Sequence, residues 1–310
     1  MRAPQLVPDP TLPAEVTIWE VGPRDGLQNE LTIVPVEVKL ELVARLVAAG
    51  LPVVEATSFV SPARVPQLAD AGELMARLAE RGLLSAATPV LVPNERGLDR
   101  ALAAGATSVA VFLSVTEAFA RANLGCELDE QYVMAAPVIR RAREAGLPVR
   151  AYLSMCFGDP WEGDVPVARV VEAGVRVLDL GADQLSLGDT IGVGTAGHVG
   201  ALVGALGDAG VGTDRIALHF HDTYGQALAN TLAAMHAGVT TFDASVGGLG
   251  GCPFAKSATG NLPTEDLVWM LDGLGVRTGV NLQALVDTST WLADQLGRPS
   301  PSRVVRAVSG

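Results

Sequence analysis

The stretch Ala217-Leu218-His219-Phe220-His221-Asp222-Thr223 places two of the four histidines of the chain two residues apart, after an apolar run. The run predicts a buried strand, on which the side chains at i and i+2 point to the same face. His219 and His221 should therefore project together, with Phe220 facing the other way. Two imidazoles on one rigid strand form half of a metal site, although so short a pattern also arises by chance or for structural reasons.

On both sides of this strand, the same unit of a strand followed by a helix recurs eight times. Strands are predicted near 16–21, 52–56, 87–92, 107–113, 148–154, 184–187, 216–221 and 241–246. Helices are predicted near 35–50, 65–80, 95–104, 128–145, 166–180, 196–209, 226–237 and 264–274. Most of these helices end in a glycine-containing segment, which suits a left-handed cap before the next strand.

The alternation predicts a parallel sheet, and eight units over roughly 260 residues favour a (β/α)8 TIM barrel. A doubly wound sheet would need a glycine-rich phosphate turn after the first strand, and 22–26, Gly-Pro-Arg-Asp-Gly, does not have that pattern. We expect residues 1–310 to form a single catalytic barrel domain, with its core at about 16–275. An extra C-terminal helix and a loose tail should occupy 280–310.

Composition excludes several classes of protein. The net charge of −12 argues against nucleic-acid binding, and the 310 residues contain no apolar run of the roughly 20 residues that span a membrane. The first twelve residues lack the apolar segment of a signal peptide. The three cysteines, Cys126, Cys156 and Cys252, have no metal-binding spacing and suit a reducing compartment. We therefore expect a cytoplasmic protein with no nucleic-acid or membrane partner.

In such a barrel, the active site lies at the C-terminal ends of the strands, where His219 and His221 are predicted. Asp25 follows the first strand, which neighbours the seventh and eighth strands in a closed barrel, and is the natural carboxylate ligand. Asn261 or Asp222 could complete the set. Imidazoles with oxygen ligands suit Mg²⁺ or Mn²⁺ first and Co²⁺ or Zn²⁺ as alternatives.

Other polar residues at this end of the barrel have both functional and structural interpretations. Arg24 could stabilise a developing oxyanion or form a surface salt bridge. Asp189 could act as a base or cap a loop, and Lys256 could meet an anion or be solvated. Cys252 directly follows the glycine-rich segment 247–251, which either packs against a ligand or moves as a lid and would carry Cys252 with it. The alternative is that Cys252 is a buried structural cysteine.

With these residues assembled, the chain resembles the 3-hydroxy-3-methylglutaryl-CoA lyases, from about 16 to 285. This family belongs to a metal-dependent barrel superfamily that also contains isopropylmalate and homocitrate synthases. The motifs are Val-Gly-Pro-Arg-Asp-Gly-Leu-Gln-Asn-Glu at 21–30, Glu-Ala-Thr-Ser-Phe-Val-Ser-Pro at 55–62, Ser-Leu-Gly-Asp-Thr-Ile-Gly-Val-Gly-Thr at 186–195, His-Phe-His-Asp-Thr-Tyr-Gly-Gln-Ala at 219–227, and Gly-Gly-Leu-Gly-Gly-Cys-Pro-Phe-Ala at 247–255, leading to Gly-Asn-Leu-Pro-Thr-Glu-Asp at 260–266.

The resemblance implies a retro-Claisen cleavage of the acyl-CoA thioester to acetoacetate and acetyl-CoA, the lyase step of leucine degradation and ketone-body formation. It implies that a cation is bound by Asp25, His219, His221 and Asn261. Arg24 would stabilise the enolate, Glu55 and Asp189 would support the site, and Asp189 or a histidine would transfer protons. Cys252 would be the acid or base of a mobile loop. Gln28 and Glu265 would lie close to the substrate, and the family suggests a homodimer.

The chain departs from the family pattern at 158–163, Gly-Asp-Pro-Trp-Glu-Gly, where a cysteine and a tyrosine are common, and at Phe254, where tyrosine is usual. These changes leave longer-branched 3-hydroxyglutaryl-CoA esters open as substrates. A condensing synthase of the same superfamily is a further alternative, and a non-catalytic barrel that binds acyl-CoA or metal is the last.

Overall fold

The computed structural model describes residues 3–251 and 260–309. Short parallel strands in these residues form a nine-segment sheet. The segments are β1 (Thr17–Glu20), β2 (Val53–Val54), β3 (Thr57–Ser58), β4 (Val90–Leu91), β5 (Val109–Ser114), β6 (Val149–Ser154), β7 (Gln184–Asp189), β8 (Ile216–Phe220) and β9 (Thr241–Ala244). Their order in the sheet is β2-β1-β9-β8-β7-β6-β5-β4-β3, so each strand from β4 to β9 lies beside its neighbour in sequence.

The two ends of this order, β2 and β3, belong to one stretch of chain and are separated only by Glu55 and Ala56. The Glu55 N–H donates to the Glu20 carbonyl at 2.8 Å on the β1 side. The Ala56 N–H donates to the Pro89 carbonyl at 3.0 Å on the β4 side. Residues 53–58 therefore act as one interrupted strand that closes the sheet into an eight-stranded barrel. The predicted TIM barrel is confirmed.

Helices follow the strands and cover the outside of the barrel. They are α1 (Val36–Ala48), α2 (Ala71–Glu80), α3 (Glu95–Ala103), α4 (Glu117–Phe119), α5 (Glu130–Glu144), α6 (Val167–Asp179), α7 (Ala196–Asp208), α8 (Ala227–His236), α9 (Thr264–Leu274), α10 (Leu282–Leu296) and α11 (Arg303–Ser309). Among the described residues, no helix is both long and apolar enough to span a membrane.

The main hydrophobic core lies between the strands and these helices and consists largely of Leu, Val and Ala. On α1, for example, the buried stripe includes Leu40, Val43 and Leu46, as the helical spacing requires. The inside of the barrel is different, because it buries polar side chains such as Glu55, Arg150 and Asp243. The apolar outer layer thus fixes the strands, and the strands in turn position charged groups at the barrel centre.

The C-terminal segment differs in part from its prediction. The extra helix is present as α10, but the expected loose tail ends in a further helix, α11, which is held against the barrel. Asp266 accepts hydrogen bonds from the Ser302 hydroxyl at 2.6 Å and from the Val304 N–H at 2.9 Å. Arg303 forms an ion pair with Asp222 at 2.6 Å. Asp222 therefore anchors the tail, and its carboxylate is committed to this contact.

Candidate active site and metal centre

The two histidines lie at the C-terminal end of β8, as predicted. His219 is on the strand and His221 follows it, and their Nε2 atoms face each other at 3.3 Å inside the barrel. Phe220 points the other way, where it is buried and packs near Phe157. The apolar face of the strand thus anchors the pair of imidazoles in the cavity.

Asp25 lies opposite the histidines, in a π-helical turn, Gly22–Gly26, that follows β1. One oxygen of Asp25 and one nitrogen of each histidine lie within 4.8 Å of one another. Burial on its own would raise the pKa of the Asp25 carboxyl, but the Arg24 guanidinium and the two imidazoles lower it to about 2. Asp25 is therefore an anion at neutral pH, as a metal ligand must be.

Asn261 joins this group from the segment that precedes α9. Its Nδ2 atom donates to Asp25 Oδ2 at 2.8 Å and to the Leu249 carbonyl at 2.9 Å. Its Oδ1 atom is buried and has no hydrogen-bond partner among the described residues. A buried amide oxygen without a partner is costly unless a ligand satisfies it. Together with two imidazoles and a carboxylate, this oxygen fits a divalent cation.

Arg24 lies beside the group of ligands and is almost fully buried. Its Nε donates to Glu55 Oε1 at 2.5 Å, and its Nη1 donates to Asp25 Oδ1 at 2.6 Å. Burial disfavours the charged guanidinium, but Glu55 and Asp25 outweigh that effect and raise the pKa of Arg24 above its ordinary value. Arg24 therefore presents a permanent, fixed positive charge at the cavity wall.

Glu55 supports Arg24 and does not line the cavity itself. It is fully buried in the interruption between β2 and β3, and its second oxygen accepts hydrogen bonds from the Trp19 indole at 3.0 Å and from the Tyr152 hydroxyl. Burial and the charge of Glu55 raise the pKa of Tyr152 well above its ordinary value. The hydroxyl therefore stays protonated and donates a hydrogen bond to Glu55. The role of Glu55 in this structure is to orient Arg24.

Asp189, at the end of β7, also lies behind the cavity wall. Its two oxygens accept the N–H groups of Val193 and Gly194, each at 2.9 Å. Burial raises the pKa of the Asp189 carboxyl to about 6, against the opposite effect of these hydrogen bonds. The contacts match the loop-capping interpretation, and a role for Asp189 in proton transfer stays a prediction.

The two predicted substrate-binding residues beyond Arg24 have different positions. Gln28 lines the cavity. Glu265, at the start of α9, does not: it is fully buried, and both of its oxygens lie 3.0 Å from the Gly247 nitrogen, whose N–H they accept. Burial raises the pKa of Glu265 to about 8. Its carboxyl therefore holds the start of the glycine-rich segment, and its predicted place near the substrate stays a prediction.

The described part of the glycine-rich segment packs directly on Asn261, one of the proposed metal ligands. Gly250 has a φ of +112°, and a Cβ placed there would lie only 2.4 Å from Asn261 Nδ2. Glycine is thus required at this position both by the backbone and by the close approach. Cys252 and Lys256, which follow, lie outside the described residues, so their predicted roles stay predictions.

A cavity of about 790 Å³ opens from this centre to the surface. Arg24, Asp25 and the two histidines lie on its wall, together with Tyr152. Its remaining lining includes apolar side chains, among them Leu91, Phe112, Phe119 and Met134, and polar ones, among them Arg64, Asn94 and Asn123. The space suits a long ligand with a polar reacting end and a partly apolar body.

The comparison with known proteins agrees with this geometry. The family model described as HMGL-like matches residues 15–292. The chain belongs to the HMGL-like family. The prediction of a carbon–carbon lyase is thereby confirmed, and the matched range includes all four proposed ligands.

Individual members of the HMGL-like family are similar over almost the whole chain. The mitochondrial hydroxymethylglutaryl-CoA lyase of Mus musculus is 49% identical over 297 residues, which cover 96% of this chain and 90% of that protein. The crystal structure of hydroxymethylglutaryl-CoA lyase from Pseudomonas aeruginosa has 44% identity and a TM-score of 0.92, covering 96% and 99%. An HMG-CoA lyase from Acinetobacter baumannii, solved with coenzyme A and 3-methylmalate, has 33% identity and a TM-score of 0.89, covering 97% of each chain.

Proposed function

We propose that this protein cleaves 3-hydroxy-3-methylglutaryl-CoA to acetoacetate and acetyl-CoA, with a divalent cation bound by Asp25, His219, His221 and Asn261. The observation that carries the proposal is the meeting of these four groups with Arg24 at the inner end of one cavity. The hydroxymethylglutaryl-CoA lyase relatives and the coenzyme A complex support the substrate.

In the proposed reaction, a base removes the proton of the C3 hydroxyl, and the oxygen forms a carbonyl as the C2–C3 bond breaks. The bonding electrons pass to C2 and give the enolate of acetyl-CoA, which then takes up a proton. When bound, the cation would supply Lewis acidity and orient the hydroxyl and carboxylate oxygens. Two imidazoles together with oxygen ligands suit Mg²⁺ or Mn²⁺ first, with Co²⁺ or Zn²⁺ as alternatives.

Arg24 has the properties that stabilisation of the enolate requires. Its guanidinium remains charged, lies on the cavity wall, and is fixed on two sides by Glu55 and Asp25. A donor that is already oriented needs no reorganisation as negative charge develops on the thioester oxygen. Asp189 or a histidine is the proposed base, and Cys252 is the proposed acid that protonates the enolate.

The direct test is a turnover assay on protein stripped of metal with a chelator. The protein is given 3-hydroxy-3-methylglutaryl-CoA, and acetoacetate and acetyl-CoA are followed with and without Mn²⁺ or Mg²⁺. We expect equal amounts of both products, and only with the cation. Absence of cleavage in metal-loaded protein would contradict the proposed substrate, and longer-branched 3-hydroxyglutaryl-CoA esters would then be assayed.

Sedimentation of the same preparation tests the homodimer that the family resemblance suggests.

A further inference from the structure

A buried carboxylate that no motif singled out contacts the back of the His219 ring. Asp243, on β9, places its Oδ2 atom 3.1 Å from His219 Nδ1. The same oxygen accepts a hydrogen bond from the Ser186 hydroxyl at 2.8 Å, and Oδ1 accepts one from Arg150 Nη2 at 2.6 Å. Asp243, Ser186 and Arg150 are all buried. They come from β9, β7 and β6, which lie on both sides of β8, so the contact is as rigid as the sheet.

The hydrogen-bond roles in this cluster determine which nitrogen of His219 carries the proton. A carboxylate paired with a guanidinium only accepts hydrogen bonds, so its contact with a neutral imidazole requires the proton on Nδ1. The Nε2 atom then has a free lone pair, and it faces the His221 Nε2 atom at 3.3 Å. His219 and His221 both belong to the group that could hold a cation, to which each contributes one ring nitrogen.

We propose that Asp243 is a positioning residue, which fixes His219 in the tautomer that offers Nε2 to the cation. The inference rests on the proposed function in that the four ligands are taken to bind a divalent metal. Partners of metal-bound histidines commonly act in this way, and their loss typically weakens metal binding by about 10- to 100-fold. Asp243 does not line the cavity, so its effect must pass through His219.

Arg150 explains how Asp243 is held. Its guanidinium carbon lies 4.0 Å from the centre of the Trp19 ring and 5.1 Å from that of Tyr152. The Nε and Nη1 atoms have no hydrogen-bond partner among the described residues, so Asp243 and the aromatic faces are its main stabilising contacts. The ion pair between Arg150 and Asp243 is fully buried, and removal of one partner leaves the other charge uncompensated.

The test is Asp243→Asn. If the amide oxygen stays on Arg150, the amide NH₂ group faces His219 Nδ1 and favours the proton on Nε2, which blocks the ligand atom. The opposite orientation of the amide is disfavoured, because it places the NH₂ group against the donors of the Arg150 guanidinium. We expect the dissociation constant of Mn²⁺, measured by electron paramagnetic resonance without substrate, to rise about 10- to 100-fold. In ¹⁵N-histidine-labelled, metal-free protein, the His219 signals should change from the Nδ1–H to the Nε2–H tautomer.

Two further variants separate positioning from stability. Asp243→Leu combined with Arg150→Met removes both buried charges and leaves no oxygen that could accept the His219 Nδ1–H, so it should unfold at a higher temperature than Asp243→Asn alone yet still bind Mn²⁺ weakly. Asp70→Asn is the matched control, because Asp70 forms an ion pair with buried Lys39 at 2.7 Å outside the cavity. It should lower stability and leave the Mn²⁺ dissociation constant and the His219 tautomer unchanged.

Mn²⁺ binding or a His219 tautomer unchanged by Asp243→Asn would overturn the proposal. So would recovery of Mn²⁺ affinity in the double variant, since that would make the role of Asp243 purely structural. These measurements need no substrate. A protein that binds Mn²⁺ with the expected dependence on Asp243 but does not cleave 3-hydroxy-3-methylglutaryl-CoA would leave this inference standing and contradict the proposed function alone.

Discussion

At the scale of single residues, the site consists of charges that hold one another in place. Arg24 is fixed by Glu55 and Asp25, and the charge of Arg24 in turn keeps Asp25 ionised. One side chain thus serves both the proposed metal site and the proposed enolate site. Loss of Arg24 should affect catalysis more than binding, because its charge matters most when the enolate forms.

Arg24→Met provides a prediction at this scale. Removal of one fixed donor to a developing oxyanion typically lowers kcat by about 10²- to 10³-fold. We expect a loss of this size in steady-state cleavage of 3-hydroxy-3-methylglutaryl-CoA at saturating Mn²⁺, with a smaller change in KM. Arg277→Met, at an arginine whose side chain is 70% exposed, is the control and should keep kcat. An equal kcat in both variants would refute the role of Arg24.

Single residues were predictable where they follow strands, and less so where they lie inside them. Asp25, His219 and His221 come at or just after strand ends, so barrel topology alone brings them together. Asn261 lies well beyond β9, in the segment that precedes α9, and topology alone left it as an alternative to Asp222. Arg150 and Asp243 are within predicted strands, where a charge is read as an exception in an apolar run. The available signal for their ion pair was the presence of two opposite charges, each in the middle of an otherwise apolar predicted strand. Nothing in the sequence indicated that Glu265 would hold Gly247 and not line the cavity.

At the scale of elements, the start of the glycine-rich segment is fixed by the first turn of α9. Glu265 accepts the Gly247 N–H, and nearby Glu20 accepts the Val246 N–H at 2.9 Å. Burial raises the pKa of both carboxyls, to about 8 for Glu265 and about 7 for Glu20. Two acidic side chains thus join the glycine-rich segment to the barrel, and both bind a proton more tightly in the folded protein than in the unfolded chain.

The elevated pKa of Glu265 predicts how stability depends on pH. Between about pH 5 and 8 the folded protein keeps the proton that the unfolded chain releases, so the free energy of unfolding should fall as pH rises through this range. Glu265→Gln has no such proton and should reduce that fall, while Glu20 maintains part of it. The measurement is urea unfolding at pH 5 and pH 8.

Exposed Glu144→Gln is the matched control for this experiment and should behave as the wild type does. The prediction fails if Glu265→Gln loses as much stability between the two pH values as the wild type. It also fails if the free energy of unfolding of the wild type rises between pH 5 and pH 8 and this rise is absent in Glu265→Gln.

Helices and strands were predicted well where the periodic pattern of apolar residues extends over many positions. The helix at 264–274 has its predicted bounds, and most others differ by a residue or two. The helix predicted from 65 starts at Ala71, because Pro66 opens a separate 3-10 turn, Pro66–Leu68. The tail at 303–309 is helical because it packs on the barrel through Asp266 and Asp222, and such long-range contacts leave no local pattern.

At the scale of the whole molecule, the proposed ligands join distant parts of the chain. Asp25 follows β1, the histidines belong to β8, and Asn261 precedes α9. A cation held by all of them must stabilise the folded state, because the unfolded chain cannot assemble the site. Mn²⁺ at 100 times its dissociation constant should add about 2.7 kcal/mol to the free energy of unfolding.

Thermal unfolding of chelator-treated protein, with and without Mn²⁺, tests this prediction. The melting temperature should rise with Mn²⁺ in the wild type and stay constant in Asp25→Asn, which lacks the carboxylate. An equal rise in both proteins would place the binding of Mn²⁺ elsewhere on the chain.

The interrupted strand at 53–58 has a consequence for how the enzyme fails. Its two halves pair with β1 and β4 through only two residues each, so few residue pairs hold this side of the barrel wall, which continues into the equally short pairing of β4 with β5. Glu55, in the gap between the halves, is also the residue that orients Arg24. The join that completes the wall therefore also aligns the proposed catalytic charge. Damage that loosens this join should reduce turnover while the remaining strands still hold the protein folded.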